Sequence, residues 1–320
     1  MNRTFDRMID GAQTVCVLGH VNPDGDCVGS TLAVRNYILA KDASKKVVVY
    51  LEEPSDKFSF LPGYEGITTG NEVKKEYDLC IVCDCADPSR IGKFLNYLQA
   101  AKTSFLIDHH YTNQGFCDKS VIEADASSTC EILYGLFRKD LLNGDIARCL
   151  YTGLIHDTGV FKHSCTSSKT MRIAGKCMEY GFDFGKIIDA SFYSMSIDQK
   201  RMLGVVYQDM KLCLDGRFVY AKLSRKLMKE YGIESGKDTD GFIDNIRTTD
   251  GSICAAFFYE LPDGTYRGSF RSSSDQVNVA EIAQAFGGGG HKRAAGCFLG
   301  KDVESDIRKV IGMVEKQLEK

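Results

Sequence analysis

QTVCVLGHVNPDGDCVGS, residues 13–30, decides the fold: an apolar run of strand length ends at His20, turns through Pro23-Asp24-Gly25-Asp26, and enters residues with helical spacing. Val28, Leu32, Val34 and Ile38 continue that spacing to about residue 41. A short continuous apolar strand feeding a helix marks a parallel sheet covered on both faces. The alternation continues outward. KVVVYLEE (46–53), YDLCIVCD (77–84) and KTSFLIDH (102–109) read as further strands, and RIGKFLNYLQA (90–100) as a helix between the last two.

Helices are expected next near 129–140, 145–156, 168–180 and 185–210. The pattern then changes to two hairpins with Asp-Gly at their turns, KLCLDGRFVYAKL (211–223) and SICAAFFYELPDGTYRGSFRS (252–272). A short helix (279–286), the run GGGGHKRAAG (287–296), a strand and a closing helix (303–319) complete the chain. The expected class is α/β: a larger N-terminal parallel-sheet domain over 1–194, a helical linker over 195–212, and a smaller C-terminal α/β domain over 213–320.

Composition narrows the function classes. A hydrophobic fraction of 43% and a charged fraction of 26% describe an ordinary globular protein. No apolar run reaches membrane-spanning length, and the polar N-terminus lacks a secretory signal, so a cytoplasmic location is expected. The formal net charge of −3 argues against a grip on long nucleic acid, which rests on phosphate neutralisation. The 13 cysteines are odd in number and scattered, unlike a disulfide framework. Cys80 and Cys83 have zinc-like C-x-x-C spacing, but strand alternation sends them to opposite faces.

In an α/β sheet, ligands collect at the carboxyl ends of the strands. The first strand ends at His20, Asp24 and Asp26; the third ends at Asp84; the fourth ends at Asp108, His109 and His110; LIHDTGVF adds Asp157. Singly, these residues are explained as turn formers, helix caps or surface histidines. Their joint placement points to a site. Imidazoles and carboxylates with no cysteine partner favour Mn²⁺, Mg²⁺ or Co²⁺, and such cations would relieve the repulsion among clustered aspartates. In the C-terminal domain, Gly287–Gly290 lets backbone N–H groups approach an anion, beside His291 and the planar fork of Arg271.

GHVNPDGDCVGS, VCDCAD, IDHH and HDTGVF, in that order, resemble the four motifs of the DHH phosphoesterase superfamily. GSFRSSS and FGGGGHKRAAG resemble motifs of its DHH-associated C-terminal domain. The resemblance covers nearly the whole chain and is greatest to the bacterial nanoRNase/pAp phosphatases. It implies two Mn²⁺ (or Mg²⁺/Co²⁺) per chain, held by His20, Asp24, Asp26, Asp84, His109 and Asp157, with Asp84 bridging. Asp108 is then a supporting catalytic group and His110 faces the scissile phosphate. Arg271, Ser272, Gly289, Gly290, His291 and Arg90 become the substrate-binding set. The implied substrates are short oligoribonucleotides and 3′-phosphoadenosine-5′-phosphate, with no long duplex and no membrane, and a homodimer is typical of the family. Linear or cyclic dinucleotides such as pApA and cyclic di-AMP are the alternative substrates. A non-catalytic nucleotide sensor is the alternative of another class.

Overall fold

The computed structural model describes residues 2–70, 76–233, 236–239 and 241–319, in two compact units, Met1–Ser194 and Met195–Lys320. The first unit opens with α1 (Asn2–Gly11), β1 (Thr14–Leu18), α2 (Gly25–Lys41), β2 (Lys46–Tyr50) and β3 (Ile67–Thr68). It continues through β4 (Leu79–Cys83), α3 (Leu95–Ala100), β5 (Thr103–Asp108) and β6 (Lys119–Ile122). The helices α4 (Thr129–Leu136), α5 (Gly144–Asp157), α6 (Ser168–Met178) and α7 (Phe184–Ile188) follow.

All six strands are parallel, in the order β3-β2-β1-β4-β5-β6. The order reverses between β1 and β4, and a crevice at the carboxyl ends opens at such a switch point. Strand alternation divides the core cleanly. Val15, Val17, Ile81 and Cys83 face one apolar cluster with α2, α4 and α5; Cys16, Leu18, Cys80 and Val82 face another with Phe94 and Tyr97. Cys80 and Cys83 therefore lie on opposite faces, as alternation requires.

α2 is buried along most of its length because its residues are small or apolar on nearly every side. It packs on α5 through Gly29, where a Cβ would overlap the Cys149 carbonyl, and through Gly153, where a Cβ would overlap Asp26 and Cys130. These two glycines bring the backbones close and set the depth of the α2 N-terminus.

Two expected helices are interrupted. Pro88–Phe94 is a tight 3₁₀ segment kinked at Gly92 (φ 64°), so only Leu95–Ala100 of the 90–100 stretch is α-helical. The 185–210 stretch breaks into α7, a π-turn over Asp189–Tyr193, and α8 (Ile197–Asp209), which Ser196 restarts with a capping box.

The second unit runs from α8 through β7 (Lys211–Cys213), β8 (Phe218–Leu223), α9 (Arg225–Glu230) and α10 (Phe242–Ile246). It ends with β9 (Cys254–Glu260), β10 (Tyr266–Ser272), α11 (Val279–Gln284), β11 (Gly289–His291), β12 (Ala294–Leu299) and α12 (Val303–Leu318). Its mixed sheet has the order β11-β12-β10-β9-β8-β7, with only the β8–β9 pair parallel. Both Asp-Gly hairpins form, with positive φ at Gly216 (82°) and Gly264 (84°). Met202, Leu203 and Val206 of α8 pack on one face of this sheet, and α11 and α12 cover the other.

Candidate metal centre

Six side chains from β1, α2, β4, β5 and α5 meet at the switch point of the parallel sheet. His20 follows β1 and is nearly buried; its Nδ1 lies 2.8 Å from the Val21 carbonyl. A carbonyl only accepts, so Nδ1 carries the hydrogen and Nε2 is the ring atom turned toward Asp24 (3.8 Å) and Asp84 (3.5 Å). Asp24 caps α2, its Oδ1 accepting from the Asp26 and Cys27 N–H groups. The ordinary capping role and the site role thus coexist in one carboxylate.

Asp26 is fully buried, and its oxygens accept from the Thr129 and Cys130 N–H groups at the start of α4 (2.6 and 3.1 Å). Asp84 is held at φ 55°, a backbone region that few non-glycine residues occupy, and Thr129 Oγ1 donates to its Oδ1. His109 Nε2 stands 3.5 Å from Asp84 Oδ1 and 3.0 Å from Asp157 Oδ2. Asp157 Oδ2 is buried and satisfied by no hydrogen bond. Asp108 binds His110 Nδ1 through Oδ1 (2.7 Å), while its Oδ2 accepts from Asn113 (2.6 Å).

The electrostatics follow from crowding. Burial works against charging the two imidazoles, yet the surrounding carboxylates outweigh it, holding His20 up to about 10 and His109 up to about 12. For Asp84, burial is likewise overcome, here by His109 and His20, which keep the carboxyl below the usual range. Burial pushes Asp26 up to about 7 and Asp157 well above its ordinary value, with neighbouring carboxylates adding to both.

These donors fit divalent cations. Asp84, His109 and His110 form one group of converging ligand atoms, and Asp26, His109 and Asp157 form another. The buried Oδ2 of Asp157 makes no hydrogen bond and has the His109 ring 3.0 Å away as its charged neighbour, a place where a cation would give it a stronger partner. A third group of converging atoms, His20, Cys27 and Asp84, adds a thiol that the sequence reading does not include. Burial, followed by the charges of Asp84 and Asp24, pushes the Cys27 thiol far up. The thiol is therefore neutral, and it leans toward the His20 carbonyl at 4.0 Å.

Cations held by His20 and His109 would have to displace protons from both rings near neutrality, since the surrounding carboxylates favour the charged imidazoles. Mn²⁺ affinity is therefore expected to rise with pH between 6 and 8, by up to about tenfold per pH unit for each proton released. Calorimetry in buffers of different ionisation enthalpy measures that release; a pH-independent affinity would contradict the charge assignment.

Other residues support the centre. Arg90 is exposed, and its Nη2 comes within 3.3 Å of His20 Nδ1 at the edge of the cluster. His156 packs between Phe58 and Phe192 and against Gly25, where any Cβ would overlap the ring. Burial, then Lys57, lowers its imidazole to about 4, so it is a neutral buttress for the Asp24-Gly25-Asp26 turn. Asn113, which no sequence motif singles out, fixes Asp108 and the Cys85 carbonyl together.

In the second unit, Arg271 on β10 and His291 on β11 both register with Ala294 of β12. Directly opposed residues of an antiparallel sheet share a face, so the two flank β12 about 10 Å apart at their backbones. Arg271 Nε is 3.5 Å from Asp244, and Ser272 Oγ bonds the Ser274 carbonyl (2.8 Å). Gly289 and Gly290 are not a free loop but the start of β11. Gly290 adopts φ 144°, and a Cβ there would press on the Ala294 carbonyl.

Residues 14–154 match the model of the DHH family, N-terminal domain, and residues 215–320 match that of the DHHA1 domain. The chain is 30% identical to a probable bifunctional oligoribonuclease and PAP phosphatase NrnA of Streptococcus mutans, over 92% of each chain. It is 29% identical to the bifunctional oligoribonuclease and PAP phosphatase NrnA of Thermus thermophilus, over 95% of this chain and 90% of that one. In fold it resembles the crystal structure of an exopolyphosphatase-related protein from Bacteroides fragilis, with a TM-score of 0.90 at 23% identity over 100% and 97% of the two chains.

Proposed function

Because the chain belongs to the DHH family and carries a DHHA1 domain, it is a phosphoesterase, and we propose that it hydrolyses short oligoribonucleotides and 3′-phosphoadenosine-5′-phosphate using two divalent cations, foremost Mn²⁺. The observation that carries this reading is the position of Asp84, with His20 3.5 Å from one oxygen and His109 3.5 Å from the other. A carboxylate flanked in this way suits a bridge between two ions. His20 and Asp24 would complete one ion's donors, and Asp26, His109 and Asp157 the other's. Bound there, the cations supply positive charge against the phosphoryl oxygens and acidify an attacking water.

The chain's own groups do the rest. Asp108 engages Nδ1 of His110, which leaves Nε2 of this half-exposed ring to bond an oxygen of the scissile phosphate. Arg271 and His291, on one face of the second sheet, suit a terminal phosphate, Arg271 through its planar fork. Arg90 beside His20 adds positive charge for the substrate. The absence of disulfides among the 13 cysteines suits a cytoplasmic enzyme.

His110→Ala is expected to lower kcat by about a hundredfold to a thousandfold, the usual scale for losing one donor to a developing charge. Mn²⁺ binding should be largely retained, because the nearest partner of this ring is Asp108 at 2.7 Å, with Asp84 farther off at 3.8 Å. Steady-state kinetics with equilibrium dialysis tests both, and a loss of bound Mn²⁺ would move His110 into the ligand set.

A further inference from the structure

We propose that Tyr111 is the stacking platform for the nucleobase next to the scissile phosphate, an assignment that rests on the phosphoesterase reading and specifies how its substrate is held. Tyr111 directly follows His110 and is 82% exposed, more than any other large hydrophobic side chain among the described residues. Its exposure is not that of a loose loop. His110 to Asn113 is a β-turn closed by the Asn113 N–H donating to the His110 carbonyl (3.1 Å). Asn113 is buried and ties the turn down from behind: its amide donates to the Cys85 carbonyl (2.9 Å) and to Asp108 (2.6 Å), and its oxygen accepts from the Gly115 N–H (2.8 Å).

The turn therefore holds an aromatic ring in water, one residue beyond the imidazole assigned to the phosphate. Such a ring is ordered in advance at its backbone, so stacking a base on it costs little further entropy. The chain's charge makes this contribution useful. With 43 acidic residues against 40 lysines and arginines, phosphate neutralisation alone offers weak affinity for a substrate of one or two nucleotides. Stacking on an aromatic face supplies affinity that is nearly indifferent to base identity. A short substrate of any sequence would then be recognised by its phosphates and one base face.

The chain contains no tryptophan, so Tyr111→Trp creates a single indole reporter at the platform. In the Mg²⁺-loaded protein, AMP is expected to quench that fluorescence, while ribose 5-phosphate and inorganic phosphate leave it unchanged. No response to AMP, or an equal response to ribose 5-phosphate, would overturn the assignment. In the same series, Tyr111→Ala should raise KM for a dinucleotide RNA by about tenfold with kcat retained, and Tyr111→Phe should restore it, because the ring and not the hydroxyl is used. An unchanged KM in Tyr111→Ala would also overturn it. If the unaltered chain hydrolysed no nucleotide, the proposed function would fail while the AMP titration still decided the role of Tyr111.

Discussion

Asp84→Asn is expected to abolish hydrolysis, lowering kcat by more than about a thousandfold, while leaving the cation-free protein folded. Asparagine is the informative replacement because of the backbone. Asp84 sits at φ 55°, where Asn is among the few residues at ease and alanine would add strain of about 1 kcal/mol. The amide keeps the size of the carboxylate and still accepts from Thr129 Oγ1, so the local packing survives. What is lost is the negative charge between His20 and His109, to which both stand at 3.5 Å. Without it, neither proposed ion has its shared ligand. The stability readout separates this from simple unfolding: Mn²⁺ at a hundred times its Kd should stabilise the unaltered protein by about 2.7 kcal/mol per site and the variant by far less. A variant with normal turnover would remove Asp84 from its bridging role.

Gly153→Ala should be destabilising by about 1–3 kcal/mol and should weaken cation binding, although helix propensity alone favours the change by about 1 kcal/mol. A Cβ at this position in α5 overlaps both Asp26 Oδ1 and the Cys130 side chain. Asp26 has nowhere to retreat, because its oxygens are held by the Thr129 and Cys130 N–H groups. Overpacking therefore wins over propensity. Gly175→Ala provides the control: it lies within α6 with nothing near its added Cβ, so propensity acts alone and stability should rise by up to about 1 kcal/mol. Thermal melts with and without Mn²⁺ compare the two, and equal behaviour would refute a packing role for Gly153.

The strand ends are legible in the sequence because each strand is a compact apolar run stopped by a polar group. The order of residues alone thus puts His20, Asp84, Asp108 and His109 on one sheet edge. Helices are legible where hydrophobic spacing is regular, as in α2 and α5, and obscure where backbone geometry overrides it. Gly92 kinks the 88–94 segment through a positive φ that apolar periodicity does not register. The π-turn at Asp189–Tyr193 likewise leaves no periodic trace. β11 is hidden because a run of glycines carries no alternating side chains, and its pairing with β12 is a backbone matter.

Long-range contacts are the other gap. That Asp26 accepts from the first N–H groups of α4, more than a hundred residues away, is a tertiary contact with no trace in the local pattern. Asn113 escapes notice because a polar residue in a turn has many ordinary explanations; only its burial and paired bonds to Cys85 and Asp108 distinguish it. Cys27 offers a faint signal, since it follows Asp26 in the same helical turn as Asp24, but its neutral state depends on burial.

The central claim is tested most directly by Mn²⁺-dependent hydrolysis of 3′-phosphoadenosine-5′-phosphate, pApA, a five-nucleotide RNA and an RNA of about two dozen nucleotides, with a chelated control. The predicted result is phosphate released from the first, mononucleotides from the two short RNAs, little action on the long one, and none after chelation. Hydrolysis of pApA alone would contradict the proposed substrate range, and turnover undiminished by chelation would contradict the metal centre itself.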